Sequence, residues 1–394
     1  MSTAIHLTFK EIWRNRARYL LFSLVVALIT LLILFVAALG EGLGSGNREY
    51  LEKLNGELVV YQDTARLSIP ASRLECSTRN VLRGIEGVRE AGAVGFATVA
   101  VHSGDLNAMM DMMVPEYMDV SFIGVEPGMP GEPATLEGTG LQRRSAHEAV
   151  IDRSVALMGG LEVGDEFMIR SAQGNENQYY ELRVMGITDS QKYAIRPSVF
   201  VPILVWEKIR PQPTVGGGTG APICNVAVVQ LDDPAQIEPM RALLQSRVSG
   251  IEAVDRVTAY ENTPGYSEQQ STLATQNGFA LLIGMLVIGG FFQIQILQKV
   301  SQIGMLKAIG TPNAVVGLAT VLQIVIITLA GIVIGSLITL GLSLLFPPSI
   351  PLVFDLRTGL TTILTILAVG PIGGLVAIRY SLRIEPLTAL GLDS

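Results

Sequence analysis

Four long runs without a charged residue divide the chain, and their spacing is uneven. Tyr19–Leu39 is uncharged over 21 positions, and Ser271–Gln298, Ala308–Phe354 and Thr358–Ile378 are uncharged throughout. A hydrocarbon core of ~30 Å takes about 20 apolar residues of helix, so the first, second and fourth runs each suit one crossing. The third is too long for one. It contains Phe346-Pro347-Pro348-Ser349-Ile350-Pro351, which cannot continue a helix. The pattern predicts one long helix near Val315–Leu345, then a short loop. The chain therefore reads as a four-span membrane protein with a more polar segment of some 235 residues between its first two spans.

The predicted division is a cytoplasmic amphipathic helix over 1–18, a first span over 19–40 and an extracytoplasmic domain over 41–275. A second span at 276–298, a cytoplasmic segment at 299–313 and a third span at 314–345 follow. An extracytoplasmic loop at 346–357, a fourth span at 358–378 and a cytoplasmic tail at 379–394 complete it. Composition agrees: charged residues make up 16%, against roughly 25% in ordinary soluble chains. Orientation follows from the flanks. Lys10, Arg14, Arg16 and Arg18 precede span one, Lys299 and Lys307 lie between spans two and three, and Arg379 and Arg383 follow span four. Basic flanks stay cytoplasmic, and all three fall on one side of a four-span topology. Both termini are expected inside a bacterial cytoplasmic membrane.

Ahead of span one, Ile5, Phe9, Ile12 and Trp13 recur at helical spacing, with Lys10, Glu11, Arg14, Asn15 and Arg18 opposite them. This predicts a helix on the membrane surface, with Trp13 and Tyr19 at interfacial depth and Trp13, Arg14, Arg16 and Arg18 as its anchoring residues. The apolar run exceeds the 7–15 residues of a signal-peptide core, so an uncleaved anchor is expected.

The outer segment carries a doubled pattern. Glu57–Tyr61 is strand-like, Ser72–Ile85 suits a helix, and Gly84-Ile85-Glu86-Gly87-Val88 leads into Gly95–Val101. Cys224–Leu231 is again strand-like, and Ile237, Met240, Leu244 and Val248 are spaced by three and four. Gly250-Ile251-Glu252-Ala253-Val254 then leads into Val254–Tyr260. Two β-α-β halves, 41–104 and 221–270, predict a ferredoxin-like lobe. Between them, 105–220 is strand- and turn-rich, with strands expected after Gly164-Asp165, at Tyr180–Ile187 and at Ser198–Ile203. The fold class is thus four transmembrane helices plus an α+β outer domain, with a β-rich lobe inserted in the ferredoxin-like one. The glycines of Gly40–Gly46 read as a loose exit from span one, and Gly216–Gly220 as a flexible connection.

Little of this sequence suggests reaction chemistry. No Gly-x-x-x-x-Gly-Lys-Ser/Thr loop is present to cradle a nucleotide, nor is there a Gly-x-Ser-x-Gly elbow or an HExxH metal site. His6, His102 and His147 are scattered. No catalytic, cofactor-binding or metal residues are expected, and no nucleic-acid partner. Met109, Met110, Met112, Met113 and Met118 cluster near His102; thioethers suit Cu(I), but Met also fills adaptable apolar surfaces, the reading we prefer. Cys76 and Cys224 are the only cysteines, both in the oxidising compartment. They occupy different places in the two halves, and spacing alone leaves open whether they are joined. The polar exceptions in the spans are Gln293, Gln295 and Gln323, expected to bond across helices or subunits. The absence of intramembrane charge argues against ion coupling.

Three motifs carry a family resemblance. Ile12-Trp13-Arg14-Asn15-Arg16-Ala17-Arg18 resembles the basic run before span one of the permease family that includes MacB, LolC, LolE and FtsX. Ile303-Gly304-Met305-Leu306-Lys307-Ala308-Ile309-Gly310 resembles its signature between spans two and three, and Arg383-Ile384-Glu385-Pro386-Leu387-Thr388-Ala389-Leu390 its ending. Where many relatives have an acid before the isoleucine-glycine, this chain has Gln302. The resemblance implies a non-catalytic permease subunit of an ABC transporter, with ATP and Mg bound by a separate ATPase dimer. It implies a coupling helix carrying Gln302, Ile303, Leu306, Lys307 and Ile309. Ile303, Leu306 and Ile309 repeat at i+3 with Lys299 and Lys307 flanking them, an apolar stripe expected to face a partner or lipid. A second permease copy or paralogue and a membrane-fusion or other extracytoplasmic protein are the further expected partners. The cargo implied is a lipid, lipoprotein or amphiphile; the alternative is an FtsX-like subunit that activates a cell-wall hydrolase.

Overall fold

A computed structural model describes residues 13–14, 16–102, 117–193, 195–212, 222–346, 352–375, 378–379 and 382. It divides into two units, one of Met1–Leu43 with Gln269–Ser394 and one of Gly44–Glu268.

Among the described residues, the first unit holds four helices long and apolar enough to cross a membrane. Helix α1 is Arg16–Glu52. It crosses the unit boundary without a break, so Gly40–Gly46 is helix and not a loose exit. Packing overrides the glycines' poor propensity. A Cβ on Gly40 would lie 3.2 Å from Leu273, and one on Gly46 3.2 Å from the Ile195 Cα. Helix α7 is Tyr266–Gln298, α8 Val300–Ala308, α9 Asn313–Ser343 and α10 Leu356–Gly373. The last ends five residues earlier than the 358–378 expectation and contains Pro371. The bundle core comprises Val26, Ile288, Phe292, Ile296, Ile303, Ile324, Ile327 and Val369. Gly331 and Gly335, one turn apart on α9, let that helix approach α1. A Cβ on Gly331 would fall 2.5 Å from Val26, and one on Gly335 2.6 Å from the Ala27 carbonyl oxygen. Without a hydrophobic driving force in lipid, such close packing is what holds membrane helices together.

The second unit starts with the doubled pattern. Strand β1 is Leu58–Gln62, β2 Leu74–Glu75, helix α2 Thr78–Arg83 and β3 Val88–His102. The matching half has β10 Ile223–Cys224, β11 Val226–Leu231, α5 Ile237–Arg247 and β12 Ile251–Asp255. The helix expected over Ser72–Ile85 is only six residues long, because Leu74–Glu75 pairs with Ile223–Cys224 instead. Helix α6, Arg256–Glu261, follows with Asp255 as its N-cap, so the strand expected to reach Tyr260 stops at Asp255. The four long strands run β12-β1-β11-β3, every pair antiparallel. Leu58 and Val60 face α2 and α5 through Leu82, Met240 and Leu244. Val59 and Tyr61 face the other way, toward Tyr50, Leu51 and Leu54 at the end of α1. A strand covered on both faces reads as a continuous apolar run, which is why Leu-Val-Val-Tyr shows no alternation.

The inserted part comprises β4 Tyr117–Val125, β5 Thr135–Gly138, β6 Glu148–Asp152, α3 Arg153–Gly159, β7 Glu166–Gln173, β8 Glu176–Thr188, β9 Ser198–Pro202 and α4 Ile203–Ile209. Its pairing runs β3-β4-β9-β6-β8-β7 and returns to β3. Six strands thus close a ring and leave few free edges. Strand β3 belongs to both this ring and the four-stranded sheet, so the insert shares a strand with the lobe around it. Gly95 and Gly124 are register partners on β3 and β4. Together they make room for the Trp206 ring, which would lie 2.5 and 2.4 Å from their Cβ atoms. The buried Trp206 donates from Nε1 to the Phe122 carbonyl at 3.2 Å.

Candidate functional site

Helix α8 owes its length to the residues that bound it. Lys299 separates it from α7, and Gly310 at φ +94° ends it. The Gly310 and Thr311 N–H groups close on the Lys307 and Leu306 carbonyls at 2.9 and 3.1 Å. A left-handed residue at this position favours glycine, and Pro312 then leads into α9.

The expected apolar stripe turns out to be split. Ile303, 9% exposed, packs into the bundle core, and Gly304 beside it is buried. Leu306 is half-buried and lines a partly open pocket. Gln302, Met305 and Ile309 form the exposed side, with Ile309 80% exposed. The expectation that Ile303 and Leu306 face a partner is therefore corrected. Residues at i and i+3 share a face, but α8 lies close enough to α7 and α9 for that face to be covered from within. Lys307 donates to the Leu382 carbonyl at 2.9 Å, holding α8 to the chain after α10.

Trp13, Arg14, Arg16 and Arg18 are all exposed. Residues 1–12 of the expected surface helix lie outside the described residues, and Arg16 and Arg18 belong to α1 itself. Arg18 donates from Nη1 to Gln298 Oε1 at 2.9 Å. Tyr19 is 3% exposed, and its hydroxyl accepts from Lys299 Nζ at 2.9 Å. The end of α7 and the start of α8 are thus tied to the start of α1. Gln295 and Gln323, 3% and 8% exposed, face inward beside Lys299.

Within the second unit, the far end of α1 is gripped by 189–193. Lys53 Nζ donates to Asp189 Oδ2 at 3.2 Å and to the Ser190 carbonyl at 2.6 Å. Ser190 Oγ donates to Glu49 Oε2 at 2.6 Å. The backbone N–H of Ser190 and the Lys53 ammonium hold the Asp189 carboxyl below its usual range. Tyr50 stacks edge-on to Tyr193 at 6.2 Å, and Tyr193 to Phe96 at 4.6 Å. Burial pushes the Tyr50 and Tyr193 hydroxyls well above the ordinary phenol range. Sequence reasoning missed this clamp, since nothing local marks Glu49 or Lys53 as partners of residues some 140 positions on.

Cys76 and Cys224 are joined, with Cα atoms 5.1 Å apart. The short β2–β10 pairing and the Cys76 N–H bond to the Pro222 carbonyl at 2.9 Å bring them together. Their different places in the two halves do not matter, because Cys224 lies in β10 and Cys76 directly follows β2, its pairing strand. Of the methionine cluster, Met109, Met110, Met112 and Met113 lie outside the described residues; Met118 packs against the core of the closed ring.

A membrane unit of four helices, with a large α+β unit inserted between its first two, defines a class of multi-span permease. The MacB-like periplasmic core domain matches residues 19–247, and the FtsX-like permease C-terminal matches 277–386. The first match alone covers more than half of the chain, which therefore belongs to the MacB/FtsX-like permease family of ABC transporter subunits. It is similar to the putative hemin transport system permease protein HrtB of Staphylococcus haemolyticus, 24% identical over 98% of this chain and 99% of that protein. HrtB of Staphylococcus epidermidis is 21% identical over the same shares. Among solved structures, the extracellular domain of the transporter YknZ from Gram-positive bacteria aligns with 51% of this chain and 100% of its own, at 13% identity and a TM-score of 0.34. The periplasmic region of MacB from Actinobacillus actinomycetemcomitans aligns with 55% of this chain and 98% of its own, at 14% identity and a TM-score of 0.36.

Proposed function

We propose that this permease sits in the cytoplasmic membrane with both termini inside and couples a separate, dimeric ATPase to motion of the outer unit. A second permease chain completes the transporter. The cargo is an amphiphile moved at the outer face; the names of the full-length relatives make hemin the first candidate, ahead of a lipid or lipoprotein. The observation that carries the coupling role is the exposed Gln302-Met305-Ile309 side of α8, an apolar-rich face on a helix otherwise held by the bundle. Such a face is unfavourable in water and suits a protein partner. The path from it runs through Lys299 and Tyr19 into α1, whose other end carries Glu49 and is followed by Lys53. Spans without charge fit a protein that transmits movement more than one that lines an ion path.

Topology is tested by placing single cysteines. A thiol at Glu162 should react with an impermeant reagent from outside, and one at Gln302 should not. The reverse pattern overturns the orientation. Cargo is tested by expressing the chain with its ATPase and measuring hemin resistance and cellular hemin; no change with hemin, alongside rescue of lipoprotein release or cell-wall hydrolysis, would reassign it.

A further inference from the structure

A cavity of about 270 Å3 opens in the second unit where its two lobes meet. The ferredoxin-like lobe contributes Cys76, Pro222 and the start of α2, and the insert contributes Glu126, Arg144 and α4. Ile203, Leu204 and Pro222 give it an apolar surface, and Leu204 is 53% exposed there. The charges around it sort into pairs. Glu126 is 4% exposed and forms an ion pair with Arg79. Glu207 accepts from the Arg210 guanidinium at 2.7 and 3.1 Å. Each carboxylate of the lining is thus matched by an arginine. The Arg144 guanidinium and the Asn80 side-chain amide have no hydrogen-bond or ion-pair partner among the described residues. One positive charge and an amide donor are therefore left over beside the apolar surface.

We propose that this cleft binds a carboxylate-bearing amphiphile, its carboxylate at Arg144 and Asn80 and its apolar body on Ile203, Leu204 and Pro222. An arginine fork matches the two oxygens of a carboxylate, and such charge-assisted bonds are the strong ones. A phosphate monoester carries nearly two charges, which one free arginine beside Glu126 and Glu207 does not match. A cationic head would meet Arg144 and find both acids already paired. Small-molecule pockets run from roughly 300 Å3 upward, so the occupant is a medium-chain fatty acid or the carboxylate edge of a larger amphiphile such as hemin. The inference rests on the amphiphile reading above and gives that cargo a place in the outer unit, in contact with both lobes.

The test uses the full chain in lipid nanodiscs and two photoreactive probes, a diazirine-bearing decanoic acid and the matching decanol. Labelled peptides are mapped by mass spectrometry, which separates this cleft from probe dissolved in the bilayer. In wild type the acid should label the peptides holding 76–80 and 203–207, and the alcohol about tenfold less, the effect of losing one charge-assisted bond. Arg144→Gln should lower labelling by the acid about tenfold, and Arg144→Lys should keep most of it. Leu204→Asp should also abolish it, and decides the matter if Arg144→Gln fails to fold. Displacement of the probe by hemin makes a tetrapyrrole the occupant, and displacement by decanoate alone makes it a fatty acid; the site stands in both cases. Equal labelling of 203–207 by acid and alcohol, or of wild type and Arg144→Gln by the acid, overturns the proposal. No transport or ATPase is involved, so a chain that confers no hemin resistance can still pass this test, and one that confers it can fail.

Discussion

The ammonium of Lys299 donates to the hydroxyl of Tyr19 across 2.9 Å, joining residues 280 positions apart. One position earlier on each segment, Arg18 and Gln298 repeat the link at 2.9 Å. Both partners of the first pair are at least partly buried, and the Lys299 ammonium also lies 5.5 Å from the Tyr19 ring centre. The start of α1 is therefore bound to the junction of α7 with α8. Tyr19→Phe keeps the ring and removes the acceptor. We expect transport to fall while the ATPase still co-purifies. A double-mutant cycle with Lys299→Met should give a coupling energy of about 1.5–3 kcal/mol, as for hydrogen bonds to charged groups. A coupling near zero would show that the contact transmits nothing.

The two sides of α8 should respond differently to charge. Ile309→Asp places a carboxylate on the exposed side, where burial against a partner costs several kcal/mol. The variant should fold and insert normally but lose its ATPase on affinity purification. Ile303→Asp buries the charge inside the bundle and should lower the yield of folded protein instead. If Ile309→Asp retains both the ATPase and stimulated hydrolysis, α8 does not dock it.

The disulfide between Cys76 and Cys224 closes a loop with a sequence separation of 148. Chain entropy alone assigns such a closure about 5 kcal/mol, with 2–5 usual on removal of a native bond. Reduction, or the double Cys→Ser change, should lower the denaturant midpoint of the 44–268 unit by a corresponding amount. The β2–β10 pairing beside it should lose amide-exchange protection first. An unchanged midpoint would mean that the strand pairing alone holds this corner.

Asp152 is buried at the start of α3, accepting from the Ser154 N–H at 2.6 Å and from the Gln191 N–H at 2.6 Å. Burial raises its carboxyl above the ordinary value, and the hydrogen bonds from Gln191 and Ser154 oppose that rise. The folded unit therefore holds this proton to a higher pH than the unfolded chain does. The stability this group contributes through its titration is complete below the unfolded value and lost as pH rises through the folded one. Asp152→Asn removes that dependence and turns an amide toward two N–H donors, costing about 1–3 kcal/mol. Unfolding of 44–268 followed from about pH 4 to about pH 7 should show the gap between wild type and variant narrowing as pH rises. A gap that widens would contradict the raised carboxyl.

Four spans were legible because a run of about 20 uncharged residues has few other uses, and Phe346–Pro351 divides the longest run by proline chemistry alone. The two β-α-β halves were legible for a similar local reason. Met240 and Leu244 recur at helical spacing, and Leu58–Tyr61 is apolar throughout because both of its faces are covered. Local pattern failed where a neighbour distant in sequence made the decision. Gly40–Gly46 looked like a break, yet α1 runs through it because Leu273 and Ile195 lie against its glycines. The closed ring depends on Val101 pairing with Ile169, and the bond from Cys76 to Cys224 on a two-residue ribbon.

What the sequence by itself determined is which segments are apolar, how long each is, and what period each repeats. Which face of an apolar helix meets protein was decided only in the tertiary structure. In lipid both faces carry the same kind of side chain, so period does not distinguish them. Ile303 and Ile309 are the same residue type six positions apart, one on α8 and the other its C-cap. One is 9% exposed and the other 80%, because Ile303 packs into a cluster with Ile296, Val316 and Ile324 from the neighbouring helices.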